Sequence, residues 1–251
     1  MRVGLISDVH GNCLALDAVL AELEQEPLDS IVCLGDVAAG PQPRESIARV
    51  RGLGCPVVMG NWDAAFISGE MPPAADPVSE KVNEIHAWWG EQLTDDDRAY
   101  LQTFVPQLED ALGTDSLCFH GSPRSYDDWI FTTTSDEELE AMFPETHSPL
   151  LVGGHTHVQM LRRWERSLIV NPGSVGLAFL GGWPHQVSVA PWAEYAIVTA
   201  EDGRLHVDMR RTTFDVAALL ELSRSSGMPH AEWWAGCWVL EGATRARPSR
   251  T

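Results

Sequence analysis

Five short motifs in the sequence combine residue types that bind divalent metal ions. In chain order they are Asp8-Val9-His10, Gly35-Asp36, Gly60-Asn61-Trp62-Asp63, His120-Gly121 and Gly154-His155-Thr156-His157. Their carboxylate, amide and imidazole groups suit Mn, Fe, Zn or Mg better than Cu(I), and no thiolate is needed. Together they could hold two divalent ions if Asp36 bridges them. A single Asp-x-His or Gly-Asp pair is weak evidence, so the ordered set of five carries the prediction.

Each motif follows a short apolar run that is typical of a β-strand. The runs are 3–6, 31–34, 56–59, 117–119 and 150–152. Ligands at the carboxyl ends of strands converge on one edge of a sheet, where open α/β folds place their sites. The alternative is a set of unrelated core histidines and capping aspartates, which does not account for the placement of all five motifs at strand ends.

The pattern between the motifs predicts one α/β domain over residues 1–242. Apolar spacing predicts a helix over 12–26 capped by Asn12, and Pro43 and Gly52 bound a second one over 44–50. This alternation implies a parallel sheet with right-handed crossovers. Residues 64–105 are interpreted as a helical insertion over the site. Strands over 104–108 and 116–119 and a helix capped by Ser135 are expected next. A β-rich half with a hairpin at 201–203, C-terminal helices over 215–223 and 230–240, and a disordered tail over 243–251 are expected to follow.

Charge and composition limit the classes of partner. The 251 residues carry a formal net charge of −19, which argues against a nucleic-acid polymer or an anionic membrane as the main partner. No apolar run is long enough to span a membrane, no secretory signal is recognised, and five widely spaced cysteines favour a reducing cytoplasm. Trp233, Trp234 and Trp238 either dock on the body of the protein or form a homodimer contact.

The five motifs, together with Asn171-Pro172-Gly173-Ser174, resemble the calcineurin-like metallophosphoesterases. The chain is most similar to the compact bacterial and archaeal phosphodiesterase branch of that family, and the resemblance covers roughly residues 1–210. It implies a four-layer α-β-β-α sandwich in which two mixed β-sheets are flanked by helices. The alternating first half and the β-rich second half agree with this architecture.

The resemblance also assigns the metal ligands and the chemistry. It makes Asp8, His10 and His157 ligands of one ion and Asn61, His120 and His155 ligands of the other, with Asp36 bridging both. A hydroxide held between the ions would attack phosphorus in a small nucleotide-like or organic phosphodiester. Manganese is among the candidate metals. The expected catalytic residues are Asp36, Asn61, Asp63 and His120.

Three residues near the ligands have roles other than metal binding. Many relatives carry a histidine, credited with protonating the leaving group, where this chain has Trp62, and indole does not titrate near neutral pH. Trp62 is therefore expected to contact substrate only. Asp63 either orients a catalytic neighbour or only satisfies backbone donors. Arg124 either binds a phosphate oxygen or forms a surface salt bridge.

Other functions remain as alternatives. Within the family they are a phosphomonoesterase or a nucleotide pyrophosphatase. In another class, the chain would be a catalytically weak metal-binding scaffold, for which the retromer subunit that resembles this family is a precedent. A protein serine/threonine phosphatase is disfavoured, because its Gly-Asp-x-x-Asp-Arg-Gly motif is replaced here by residues 35–41. The histidines outside the motifs, His86 among them, are interpreted as surface or satisfied core residues. Of these, only His185, in a glycine-rich stretch, is a candidate for the site.

Overall fold

Two mixed β-sheets form the centre of the protein, as seen in a computed structural model that describes residues 1–144, 146, 148–180 and 187–240. The strands are β1 (Arg2–Ile6), β2 (Ser30–Cys33), β3 (Leu108–Glu109), β4 (Ser116–Cys118), β5 (Leu150–Val152), β6 (Met160–Trp164), β7 (Ser167–Asn171), β8 (Trp192–Glu201) and β9 (Arg204–Thr213). The helices are α1 (Cys13–Leu23), α2 (Pro43–Leu53), α3 (Asn61–Ser68), α4 (Pro77–Glu91), α5 (Asp95–Leu101), α6 (Asp136–Met142), α7 (Val216–Ser225) and α8 (Ala231–Gly236).

Each of the two sheets contains strands from both halves of the chain, and the motifs lie at the ends of these strands. One sheet has the order β2-β1-β8-β9 and the other β3-β4-β5-β7-β6. In the first, β1 pairs in parallel with β2 and antiparallel with β8. In the second, β5 lies in parallel between β4 and β7. Two mixed sheets flanked by helices confirm the predicted fold class.

Three apolar clusters separate the four layers. Alternate residues of β1 and β5, such as Val3 and Leu150, face a cluster shared by the two sheets. Leu16 of α1 packs with Ile197 of β8 on the outer face of the first sheet. Leu139 of α6 packs on the outer face of the second sheet. Strand residues therefore alternate between two apolar faces, as expected of sheets buried on both sides.

The predicted helical block over 64–105 contains α4, α5 and most of α3. Asp76 caps α4 by accepting from the backbone N–H of Val78 at 2.8 Å, and Thr94 caps α5 by accepting from that of Asp97 at 3.2 Å. The buried Trp89 fixes α4 on the large cluster that includes α1. Predicted caps at Asn12 and Ser135 and the hairpin between β8 and β9 are also confirmed.

Three sequence expectations about strands and helices were wrong. Residues 56–59 form bridges and not a strand, because Val58 donates to Cys33 while Met59 donates to Val105, so the segment is shared between two neighbours. The strand expected over 104–108 is reduced for the same reason to β3 and a single bridge. The helix expected over 230–240 ends at Gly236, since the next residues pair with Val189.

The C-terminal tryptophans pack on the body of the protein, which is one of the two roles expected. Trp234 and Trp238 are buried in the large cluster, and Trp233 packs against it. The five cysteines, all among the described residues, form no disulfide. In the described parts of the chain, no helix has the length and apolarity required to cross a bilayer. The expected tail over 243–251 and His185 lie outside the described residues.

Candidate metal centre

The seven predicted metal ligands lie together at one edge of the sheets. Asp8, Asp36, His120 and His155 each follow a strand closely, and His10, Asn61 and His157 lie in the adjoining turns. The ligand atoms of Asp8, His10 and His157 lie within 4.8 Å of one another. The same is true of the ligand atoms of Asp8, Asp36 and His120. Asn61 Oδ1 lies 3.1 Å from both His120 Nε2 and His155 Nδ1. The predicted set is therefore one spatial cluster.

Each carboxylate has one oxygen held by the chain and one oxygen left for a cation. Asp8 Oδ2 accepts from Ser7 Oγ at 2.5 Å and from the His155 backbone N–H at 3.1 Å. Asp36 Oδ1 accepts from the Trp62 backbone N–H at 2.9 Å. The other oxygens, Asp8 Oδ1 and Asp36 Oδ2, are buried and make no hydrogen bond, and each faces an imidazole nitrogen, His157 Nε2 at 3.2 Å and His120 Nε2 at 3.5 Å. Such atoms are costly in a folded protein unless a metal or another cation meets them.

Backbone carbonyls orient three of the four imidazole rings. The Nδ1 atoms of His10, His120 and His157 lie within hydrogen-bond distance of Ala39 O (3.0 Å), Leu34 O (2.7 Å) and Leu177 O (2.9 Å). A carbonyl can only accept, so Nδ1 carries a proton and Nε2 is the atom that faces the cluster. His155 is turned the other way and faces Asn61 with Nδ1. Donors fixed in this manner fit a metal ion with no rearrangement.

Opposite charges dominate the electrostatics of the cluster. Burial alone would raise the pKa of Asp8, but His157 and His10 outweigh burial and hold it well below its usual range. The pKa of Asp36 is also lowered, against burial, chiefly by His120. Burial opposes protonation of His120, yet Asp36 and Asp8 raise its pKa to about 9. Metal binding requires neutral imidazole, so an ion that binds here displaces the His120 proton.

The backbone at the ligands is strained. Five ligands have left-handed φ values: Asp8 (53°), His10 (47°), Asp36 (53°), His155 (67°) and His157 (57°). Side chains other than glycine rarely adopt this region, and such residues concentrate at functional sites. Gly60 permits the close approach of one turn, since a Cβ there would lie 2.1 Å from Asp36 Oδ1. The loops are thus shaped by the site and not by regular secondary structure.

The Asn-Pro-Gly-Ser turn fastens two of the ligand loops. Asn171 Nδ2 donates to Gly154 O at 2.6 Å, directly before His155. Ser174 Oγ donates to Asp8 O at 2.8 Å. The turn after β7 therefore positions ligands from β1 and β5 without contributing one.

Asp63 holds the loop that follows Asp36. Its fully buried carboxylate accepts from the backbone N–H of Val37 at 3.1 Å and of Ala38 at 3.3 Å. Burial and then the charge of Asp36 raise its pKa to about 7. The sequence left two roles open for Asp63. Its hydrogen bonds correspond to the second role, in which it satisfies backbone donors.

Arg124 lies in a surface ion pair. Its Nε donates to Asp128 at 2.7 Å and its Nη1 to Ala141 O at 2.8 Å. The side chain is 47% exposed and does not line the cavity beside the ligands. The structure therefore places Arg124 in the salt bridge, and phosphate binding by this residue has no support from its geometry.

Sequence reasoning missed His86, which it assigned to the surface or to a satisfied core position. The ring stacks on Trp62 with centroids 3.4 Å apart, and Nδ1 lies 2.7 Å from Val82 O. Burial lowers the pKa of His86 to about 3. The helical spacing of Ile85, His86 and Trp89 indicates a buried face of α4, but nothing in that spacing shows that the face meets Trp62.

A cavity of about 280 Å³ opens beside the ligands. The ligands that line it are His10, Asp36, Asn61, His155 and His157. Trp62 and Trp129 flank them, and the Trp129 ring packs on His155 with centroids 4.6 Å apart. Trp62 therefore lines the cavity in which its predicted contact with a substrate would occur. A small molecule in this cavity would reach the metal-binding atoms.

Known proteins share both the sequence pattern and the fold. The sequence matches the calcineurin-like phosphoesterase superfamily domain over residues 1–202. The crystal structure of a metallophosphoesterase from Sphaerobacter thermophilus is 30% identical, with a TM-score of 0.72 over 92% of this chain and 96% of that one. A hypothetical protein from Pyrococcus horikoshii OT3 has a TM-score of 0.76 at 22% identity, covering 93% and 97%. An uncharacterised Methanocaldococcus jannaschii protein is 25% identical over 184 residues, 70% of each chain. The chain therefore belongs to the calcineurin-like phosphoesterase superfamily, a family of metal-dependent enzymes that hydrolyse phosphoesters.

Proposed function

We propose that this protein is a binuclear metal-dependent phosphoesterase that hydrolyses small phosphodiesters. The observation that carries the proposal is the pair of buried carboxylate oxygens that make no hydrogen bond, Asp8 Oδ1 and Asp36 Oδ2, surrounded by imidazole and amide groups. Asp8, His10 and His157 would hold one ion. Asn61, His120 and His155 would hold the other, and Asp36 would be shared.

Two divalent ions in such a site polarise phosphoryl oxygens and lower the pKa of a bound water. The chain supplies the rest of the chemistry. Backbone carbonyls keep the Nδ1 protons of His10, His120 and His157 away from the ions, so every Nε2 is available as a ligand. Attack on phosphorus releases an alcohol, and Trp62 cannot protonate it. Esters with acidic leaving groups should therefore react fastest.

The charge of one cavity residue, Asp127, favours diesters over monoesters. Asp127 lines the cavity beside the candidate ligands, and its carboxyl group adds negative charge there when it is ionised. A phosphodiester brings one negative charge and a monoester close to two at neutral pH. Asp127 opposes the additional charge. This argument supports the diesterase over the monoesterase and pyrophosphatase alternatives.

The proposal is tested with protein that has been stripped by a chelator and reloaded with Mn, Mg, Zn or Ni. Bis(p-nitrophenyl) phosphate and p-nitrophenyl phosphate release the same alcohol, so their rates compare diester with monoester directly. We expect hydrolysis only after reloading, and faster for the diester. His120→Ala should abolish it, whereas His206→Ala, at an exposed position on β9, should not. Activity that survives chelation would contradict the metal requirement, and a metal-loaded but inactive protein would indicate the scaffold.

A further inference from the structure

The cavity continues from the metal ligands into an apolar chamber, defined here by Val82, Ile85, Trp89, Phe179, Val189 and Trp234. These residues come from α4, from the segment before β8 and from α8. Phe179 connects the chamber to the ligands, because its ring lies 4.4 Å from that of His157 between centroids. Chamber and metal site are therefore parts of one cavity, whose volume of about 280 Å³ is close to the lower end of the usual range of ~300–1000 Å³ for small-molecule sites.

The walls of the chamber are fixed by the fold. Ile85 and Trp89 are each 1% exposed and Val189 is 2% exposed. Val189 is also held by its backbone, which donates to Cys237 O at 2.8 Å and accepts from the Val239 N–H at 2.9 Å. This pairing explains why α8 ends early and brings Trp234 to the chamber. A binding site that is built before the ligand arrives costs little ordering entropy.

The described residues that define the chamber carry no positive charge. Among the described residues that line the cavity, none is lysine or arginine, and the formally charged ones are Asp36 and Asp127. Lys81 Nζ lies 5.6 Å from the centre of the Trp233 ring and is not a lining residue. The sequence of residues 181–186 contains no lysine or arginine either. An anionic group in this chamber would lose its hydration and gain no ion pair.

We infer that the chamber receives the organic group of the substrate, and that the substrate is a phosphoester of an uncharged aryl or alkyl alcohol. Nucleotides that carry additional phosphates are excluded by the same charge argument. The inference rests on the proposed function for one point only, which is that the phosphate lies at Asp8, Asp36 and the imidazoles. The chamber then selects what the phosphate carries.

Phosphonates test the chamber without requiring catalysis, because their carbon–phosphorus bond is stable and each has a single organic group. Binding of methylphosphonate, phenylphosphonate and 4-carboxyphenylphosphonate to zinc-loaded protein is measured by isothermal titration calorimetry. Burial of a phenyl ring should make phenylphosphonate bind about 10- to 100-fold more tightly than methylphosphonate. The added carboxylate should remove most of this gain.

A charge placed in the chamber should reverse the preference. Val82 lines the chamber from α4, so Val82→Lys should weaken phenylphosphonate and strengthen 4-carboxyphenylphosphonate. Ala87→Lys adds the same charge to the same helix at an exposed position outside the cavity and should leave both affinities as in the wild type. Metal content and helical circular dichroism of both variants establish that fold and metal site are intact.

The outcomes separate the chamber from the catalytic proposal. Discrimination among phosphonates with no ester hydrolysis would keep the chamber and reject the diesterase. Hydrolysis of diesters with equal affinity for methyl- and phenylphosphonate would keep the diesterase and overturn the inference. Equal responses of Val82→Lys and Ala87→Lys, or no phosphonate binding at all, would also overturn it.

Discussion

At the scale of single residues, each candidate ligand gives one polar atom to the chain and leaves another facing the candidate metal centre. Asp36 gives one oxygen to the Trp62 N–H and leaves the other without a hydrogen bond, and His120 gives Nδ1 to Leu34 O and presents Nε2. Hydrogen bonds of this kind orient metal ligands and raise their basicity. The identities of the ligands could be predicted from the sequence, because their motifs are short and local. Which atom of each ligand faces the metal could not, because the partners come from distant loops.

The first prediction compares two ligands with different charge. Asp36→Asn should lower metal content more than Asn61→Ala, because Asp36 brings negative charge shared by both ions whereas Asn61 is neutral and serves one. An asparagine at position 36 can still accept from the Trp62 N–H, so the loop should persist. Elemental analysis of purified variants measures the effect, with Asp202→Asn in the β8–β9 turn as a control. Equal stoichiometry in the two ligand variants would contradict a bridging role.

At the scale of elements, α3 is a helix that begins at a candidate metal ligand and lacks a capping side chain. It begins at Asn61, and its N-cap is Gly60, which offers no side-chain cap. The usual start signals are therefore missing, and the helix could not be read from the sequence. The periodic helices α1 and α2 could be predicted, since apolar spacing and Pro or Gly boundaries act locally. The end of α8 could not, since it depends on pairing with Val189.

The second prediction concerns the close approach at Gly60. Its φ of −86° suits any residue, but an added Cβ would lie 2.1 Å from Asp36 Oδ1. Gly60→Ala should therefore displace the shared carboxylate, lower metal content and destabilise the fold by about 1–3 kcal/mol. Gly52→Ala, within α2 and with nothing near its added Cβ, should be neutral or stabilising by about 0.5–1 kcal/mol. Denaturant unfolding and metal analysis of both variants give the comparison; similar values would refute it.

The third prediction follows from the burial of His86 on α4. Its pKa of about 3 in the folded protein is below the unperturbed value of about 6.5. Below pH 6.5 the unfolded chain binds a proton that the folded one does not, so stability is lost as pH falls through this window. His86→Phe, which keeps an aromatic ring beside Trp62, should remove about 2 kcal/mol of the loss between pH 6.5 and 5.

The measurement is urea unfolding at each pH in the presence of chelator, so that metal release does not contribute. His206→Phe changes an exposed ring on β9 and is the control. Stability curves of His86→Phe and wild type that run parallel across the window would show that His86 is not held neutral by burial.

At the scale of the whole molecule, the layers of the fold were easier to predict from the sequence than the chamber was. Alternating strand and helix patterns predicted a sheet covered by helices, because apolar residues on both faces of strands such as β5 need cover on both sides, and the family resemblance implied the arrangement in two sheets. The chamber could not be predicted. Val82, Val189 and Trp234 are far apart in the sequence and ordinary as core residues, and only the packing of α4 and α8 brings them to one cavity.

The fourth prediction concerns the net charge of −19. A charge of this size repels an anionic ester at long range, and salt screens that repulsion beyond ~10 Å. The kcat/KM for bis(p-nitrophenyl) phosphate should therefore rise about two- to fivefold between low and physiological ionic strength. The net-neutral p-nitrophenyl phosphorylcholine has the same leaving group and should respond little. A fall in kcat/KM with salt for the anionic ester would show that attraction at the metal site dominates.

The left-handed backbone at five ligands also has an evolutionary consequence. Holding residues other than glycine in that region costs of the order of 1–3 kcal/mol each, and metal binding would offset part of this cost. Once metal binding is no longer under selection, replacements that relax these turns become favourable for folding. Restoring the lost ligands then requires several unfavourable steps at once. Descendants of such a chain should lose the metal site readily and regain it rarely, while the two sheets persist.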